Sequence, residues 1–174
     1  MKGCLLACTM MAACAAPMCA QDYFPLTVGN RWEYSVDGNR TRRIVEVTGS
    51  EQFGGKVWYR VKGLDAYDTL LRLEGSSKLL AWDSKNQQEI LRVNFDSFTP
   101  YKVTHALCSD QASIVHRDNE EVEVLYRNVC ADAGLVHETY RASIGLKEWT
   151  TESFVGLRTW KLISARIAGR ELSF

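Results

Sequence analysis

The stretch DYFPLTVGNRWEYSV, residues 22–36, holds a rigid Pro25, a turn signal at Gly29-Asn30 and then a strictly alternating run. Successive side chains of a strand point to opposite faces. Trp32, Tyr34 and Val36 therefore face one way, and Arg31, Glu33 and Ser35 the other. The remainder of the chain repeats this alternation, so the stretch decides the fold class.

Downstream, Asp37-Gly38-Asn39 reads as a hairpin turn, because Gly and Asn adopt positive φ at little cost. Strands are expected over 41–48, 56–62, 69–74, 78–82, 89–95, 112–117, 122–129, 135–141, 146–151 and 159–167. Short turns such as Phe53-Gly54-Gly55 and Gly75-Ser76-Ser77 join most of them. The rhythm breaks at Asp96–Asp110, where Phe98-Thr99-Pro100 stops a strand and an irregular connection carries His105 and Cys108. No amphipathic helix is evident after residue 21. About ten or eleven short strands with tight turns predict an all-β antiparallel meander. So many strands in one domain curl or close to protect their edges, which favours a strongly curved half-barrel or up-and-down barrel. A two-sheet β-sandwich is the alternative. Tight sequential turns predict neighbour-to-neighbour pairing.

Upstream of the opening stretch the character changes. Lys2 is followed by an uncharged run, Gly3–Ala20, rich in Ala, Leu, Met and Cys. This reads as a secretory signal peptide over residues 1–20, leaving a single domain over 21–174. The run is also about long enough to span a bilayer, but Pro17 and the small residues near Ala20 favour cleavage. Lipoprotein processing at Cys14, after Met11-Ala12-Ala13, is a second reading and would tether the chain to a membrane. The chain is then expected in the periplasm or outside the cell, free or lipid-anchored.

The 174 residues suggest one domain with room for a sizeable core. Lys and Arg number 21 against 21 Asp and Glu, with no basic stripe, which argues against a nucleic-acid partner. Four of the six cysteines lie in the leader, so cleavage leaves Cys108 and Cys130. An even pair in an exported chain reads as one disulfide, worth about 3 kcal/mol for a loop of this size in the chain-entropy model.

Several short motifs carry a resemblance. Phe24-Pro25-Leu26, Gly29-Asn30, Trp32 and Tyr34 open the chain after the leader. Near its end stand Cys130-Ala131-Asp132-Ala133-Gly134-Leu135, Ile144-Gly145-Leu146, Glu152, Gly156, Arg158-Thr159-Trp160 and Leu162. Together these resemble a group of exported bacterial all-β proteins of uncharacterised function. Gly156-Leu157 replaces an expected Gly-Pro, and Lys147 stands where an apolar residue is common. The resemblance implies export, an all-β fold and no established activity. Some similar proteins are joined to domains resembling proteinase inhibitors, which hints at binding.

Candidate chemistry is sparse. His105, Cys108, Cys130 and His137 could form a zinc site, but oxidation in an export compartment removes both thiolates. The same oxidation counts against a cysteine nucleophile. No Gly-x-Ser-x-Gly elbow, phosphate loop, dinucleotide fingerprint or calcium loop is present. Glu120-Glu121 and the Asp65/Asp68 pair sit in turns and read as solvated acids, and Asn39-Arg40-Thr41 is a sequon in a turn. No catalytic residue, metal or cofactor is therefore assigned. Trp58, Trp82 and Trp149 are the candidate lining of a concave apolar site, set against a purely core role. These features predict a non-enzymatic binding module for an apolar or lipid-like ligand or a peptide. The alternative is an envelope protein-interaction or structural domain. Thiol titration of the denatured, unreduced mature protein should find no free cysteine; two free thiols would overturn the disulfide and reopen the metal reading.

Overall fold

The structure, a computed structural model, describes residues 22–36, 41–65, 68–103, 108–130 and 133–174. The leader at 1–20 with Cys14, the turn at Asp37-Gly38-Asn39, His105 and the Ala131-Asp132 part of the closing motif lie outside those residues. Among the described residues there are thirteen strands and no helix: β1 Arg31–Val36, β2 Thr41–Phe53, β3 Lys56–Lys62, β4 Thr69–Glu74, β5 Lys78–Asp83, β6 Gln88–Asn94, β7 Tyr101–Lys102, β8 Ser109–Arg117, β9 Glu121–Asn128, β10 Gly134–Arg141, β11 Gly145–Ser153, β12 Gly156–Ile167 and β13 Arg170–Ser173. Two exceed the sequence expectation. The two-residue β7 lies inside the connection read as irregular, and β13 continues beyond Gly169, read as the end of the last strand.

All strands belong to one antiparallel sheet, so the fold is not a two-sheet sandwich. Each consecutive pair from β1 to β12 is hydrogen bonded except β6 and β7, and β12 returns to pair with β1. The result is a nearly closed up-and-down barrel with one seam. β13 pairs with Ser164–Ile167 of β12, beyond the part of β12 that β11 covers. Single contacts bridge the seam: the Asn94 N–H donates to the Tyr101 hydroxyl at 3.1 Å, and the Ile114 N–H to the Ser97 carbonyl at 3.3 Å. Arg117 donates to the Phe95 carbonyl at 3.1 Å and pairs with Asp96.

Bulges bend the sheet, since an extra residue in one strand sharpens local twist and re-aims side chains. One falls where Leu79 pairs with Val93 but Leu80 with Leu91, leaving Arg92 as the extra residue. Another falls where Tyr140 pairs with Leu146 but Thr139 with Glu148, leaving Lys147 extra.

The opening stretch organises the core. Tyr23 and Phe24 are fully buried, with Tyr23 5.2 Å from the Phe95 ring and Phe24 stacked 5.2 Å from Trp32. They fill one mouth of the barrel before the chain turns into β1. The alternation expected for β1 holds: Trp32, Tyr34 and Val36 join the core. Trp32 Nε1 donates to the Ile144 carbonyl and the Tyr34 hydroxyl to the Leu146 carbonyl, both at 2.6 Å. Gly145 is required between them: its φ is +113°, and a Cβ there would lie 3.0 Å from Trp32 Nε1.

Asn30 fastens the turn. Its side chain donates to the Pro25 carbonyl at 2.8 Å and accepts the Ala168 N–H at 2.9 Å, while its own backbone bonds Thr27 and Val47. A buried amide with both ends engaged is expensive to truncate, because the groups it pairs lose a hydrogen bond that offsets their desolvation. Asn30→Ala should destabilise by about 1–3 kcal/mol in urea denaturation. A change below ~0.5 kcal/mol, the range of neutral surface substitutions, would show that the turn is held by other contacts.

Candidate functional site

Three arrangements hold polar or aromatic groups in unusual surroundings. The first is a charged chain inside the barrel. Arg92, re-aimed inward by its bulge, donates to Asp65 at 2.9 Å and faces Glu138 at 3.5 Å. Glu138 Oε2 accepts the Tyr126 hydroxyl at 2.5 Å and the Tyr140 hydroxyl at 2.8 Å. Burial alone would depress the Arg92 guanidinium, but Asp65 and Glu138 more than offset it and hold it above its ordinary value. Arg43 fixes the loop that carries Asp65. It donates to the carbonyls of Gly63, Leu64 and Asp65 at 2.5, 2.9 and 3.1 Å, and its guanidinium carbon lies 5.6 Å from the Trp149 ring centre. The loop passes so close to β2 that a Cβ on Gly63 would sit 2.0 Å from the Ile44 carbonyl oxygen. Two cations and two carboxylates balance, so this chain neutralises itself and reads as interior structure.

The second arrangement lies on the outer face. Trp58 and Trp82 stand 5.6 Å apart, with Phe53 stacked on Trp58 at 5.3 Å and the Arg72 guanidinium carbon 5.4 Å from the Trp58 ring centre. These residues alternate against Tyr59, Val61, Leu79 and Ala81, which pack in the interior. Trp149 is elsewhere. The Lys147 bulge lets it share the inner face with Leu146, where it lies 4.6 Å from Tyr34 and 5.6 Å from Trp160. The expectation that Trp58, Trp82 and Trp149 line one concave site is therefore corrected: strand period places two of them on the outer face and one inside.

The third arrangement is a groove of about 430 Å³ beside the plugged mouth. It is lined by Leu26 of the N-terminal segment, by Val57, Tyr59 and Leu73 of β3 and β4, and by Asp22, Lys56 and Arg72. Arg72 donates to Glu89 at 2.5 Å and Glu74 at 3.1 Å; Lys56 pairs with Glu89, and Lys78 with Glu74 at 3.3 Å. Burial opposes the Arg72 charge, and the two carboxylates outweigh it and hold the guanidinium above its usual value. Lys56 first, and then Arg72, keep Glu89 below the usual carboxylate range. Burial pushes the Asp22 carboxyl up, opposed by the Phe24 N–H that it accepts at 2.9 Å.

The remaining sequence candidates separate. Cys108 and Cys130 are joined, with Cα atoms 5.2 Å apart. His137 lies 3.5 Å from the Thr139 hydroxyl. No group of three metal-binding side chains occurs among the described residues. Sequence reasoning missed Arg43, Arg92 and Glu138, and it read Asp65 as a solvated turn acid where the structure pairs it with Arg92. Glu138 carried a readable signal, since it shares a strand phase with Tyr140; Arg92 carried none, because a bulge leaves no mark in composition.

No protein-family model matches the chain, and no curated protein matches it. Among solved structures it is similar to one described as "a putative lipoprotein" from Parabacteroides distasonis ATCC 8503. The two share 10% identity over 88% of this chain and 99% of that one, with a TM-score of 0.40. A likeness of that size says nothing about function.

Tyr34, Tyr126 and Tyr140 give a pH prediction. Burial, and then the Glu138 charge, raise all three hydroxyls well above the ordinary 10. Above that value the unfolded chain releases protons that the folded protein keeps. Their contribution to stability is complete below pH 10 and is lost as pH rises beyond it. Tyrosinate absorbance from these three should appear only together with loss of near-ultraviolet circular dichroism. Ionisation of all tyrosines near 10 in folded protein would refute the burial argument. In the interior chain, Arg92→Met alone should cost about 3–5 kcal/mol, as for one partner of a buried pair, and adding Glu138→Gln should recover part of it. An additive pair in denaturation would show that the two charges are not coupled.

Proposed function

We propose that this chain is an exported, non-enzymatic binding module that holds a small, largely apolar ligand in the groove between its N-terminal segment and β3–β4. The groove carries the reading. Its volume falls within the range of small-molecule sites, and its lining joins Leu26, Val57, Tyr59 and Leu73 to the charged Asp22, Lys56 and Arg72. The barrel interior is occupied by the protein's own buried aromatic and aliphatic side chains, so the concave face offers less room than its rim. The leader and the motif resemblance to exported bacterial proteins support export, with a free or a Cys14-anchored form both consistent with the sequence.

A second reading, an envelope protein-interaction domain, is favoured by the β11–β12 turn. There Phe154, Val155 and Leu157 are 90%, 73% and 67% exposed. Such a cluster is uncommon on a surface without a partner.

The test is native mass spectrometry of protein purified without denaturant from the exported fraction. Extra mass that leaves on denaturation supports the groove reading, and Leu73→Trp, which fills the groove, should lose that mass while keeping the wild-type melting temperature. Bare polypeptide, or a ligand retained by folded Leu73→Trp, overturns it and directs attention to the β11–β12 turn.

A further inference from the structure

We propose that the β11–β12 hairpin tip is a lipid-contacting surface, with Phe154 and Val155 entering the interfacial layer of a bilayer and Leu157 resting against it. The tip and the groove lie at opposite rims. β12 starts at the rim where β1 ends, whereas β3, with Lys56 and Val57, starts at the rim where β1 begins. This goes beyond the groove reading and gives the exposed turn a lipid partner in place of a protein.

Phe154 and Val155 are the two central residues of a tight turn whose flanks, Ser153 and Gly156, pair with each other. With Leu157 they are the three most exposed large hydrophobics among the described residues. β1 pairs with β12 only from Lys161 onward, and β10 reaches along β11 no further than Glu152, so the hairpin end runs past the ladders on both sides. Within the turn only Gly156 takes a positive φ, +106°, so the backbone at 154 and 155 accepts ordinary turn residues. Asn, Asp, Ser and Gly usually fill such positions. The fold gains no packing from two large apolar side chains there, and departures from local rules of this kind concentrate at functional sites.

The make-up of the tip fits a bilayer better than a protein. A stable protein interface engages roughly 20–30 residues a side. This tip offers three apolar side chains, with Val129 just beyond β9 at the same rim. It directs little hydrogen bonding outward, since the Ser153 hydroxyl donates to the Gly156 carbonyl at 3.2 Å and strand pairing occupies the backbone up to the turn. Polar backbone groups satisfied within the hairpin are what an apolar medium requires. The flanking charges balance: Glu152 stands opposite Leu157, Arg158 opposite Thr151, and Lys161 behind them pairs with Glu148. These charges keep to the aqueous boundary, so insertion is shallow and carries no preference for anionic lipid. Both readings of the leader bring the chain to a membrane, by passage across it or by an anchor at Cys14.

The test floats mature protein beginning at Gln21, which carries no lipid anchor, with vesicles of phosphatidylcholine alone and of phosphatidylcholine mixed with phosphatidylglycerol. Wild type should bind both, with affinities within about twofold of each other and unmoved by raised salt. Phe154→Ser combined with Val155→Asn should weaken binding at least about tenfold and keep the wild-type melting temperature, because polar residues suit the turn. Phe154→Trp should be quenched by brominated acyl chains more than the wild-type tryptophans are. Absence of wild-type flotation, flotation with the anionic vesicles alone, or undiminished flotation of the folded double variant overturns the inference. So does Phe154→Trp that binds vesicles without added quenching, a reading that decides the matter even where the double variant unfolds. A protein cross-linked through the tip while vesicles fail to bind gives the surface to a protein partner instead.

Discussion

A ring of twelve strands encloses more space than aliphatic side chains fill. Eight strands already make an interior just wide enough for side chains to meet. The rest of this structure answers that excess. Trp32, Tyr34, Tyr140, Trp149 and Trp160 project inward, and the N-terminal segment folds Tyr23 and Phe24 into one mouth. The large rings bring hydroxyl and indole groups that need partners, and the backbone carbonyls of Ile144 and Leu146 supply them. What the rings leave is taken by long polar side chains, Arg92 and Glu138, which are tolerable in the interior only because they meet each other, Asp65 and two tyrosines.

The same constraint separates the interior from the groove at its rim. In barrels that hold ligands the lumen is kept open; here it is closed from within, and open volume survives where the plugging segment meets β3 and β4. The polar groups at that margin differ in kind from those inside. Arg92 and Glu138 are held among Asp65, Tyr126 and Tyr140 in a low-dielectric setting, with the Arg92 Nε alone left without an acceptor. Lys56 and Glu89 are partly solvated, and a pair of that kind contributes little to stability.

Much of this architecture could be read from the residues in order. Alternation located eleven of the thirteen strands, the tight turns dictated neighbour pairing, and cysteine arithmetic singled out the Cys108–Cys130 pair that the structure joins. Alternation also separated Trp58 from Tyr59 and Val61 correctly; the error lay in taking that face as the concave one. Bulk on both faces of β3, β4 and β5 reflects an outer aromatic cluster capped by Arg72, which no periodic rule distinguishes from an inner one. Bulges were the deeper obstacle. One extra residue at Lys147 brings Leu146 and Trp149, three apart, onto the same face, and one at Arg92 turns a charged side chain inward. Neither leaves a trace in composition or period. β7 was invisible because two residues cannot show a period at all.

The pairing of β1 with β12 sets the order of events during synthesis. Trp32 cannot meet Ala165, nor Asn30 receive the Ala168 N–H, until synthesis has passed β12. Local hairpins can form as they emerge, but the closure is non-local, and contacts of such long sequence separation are slow to form. Until then the chain is two meanders with unpaired edges and exposed aromatic faces, a state that invites association with other chains. The last strands therefore act as a latch, and a chain cut short before β12 should remain an open and aggregation-prone sheet however well its earlier hairpins form.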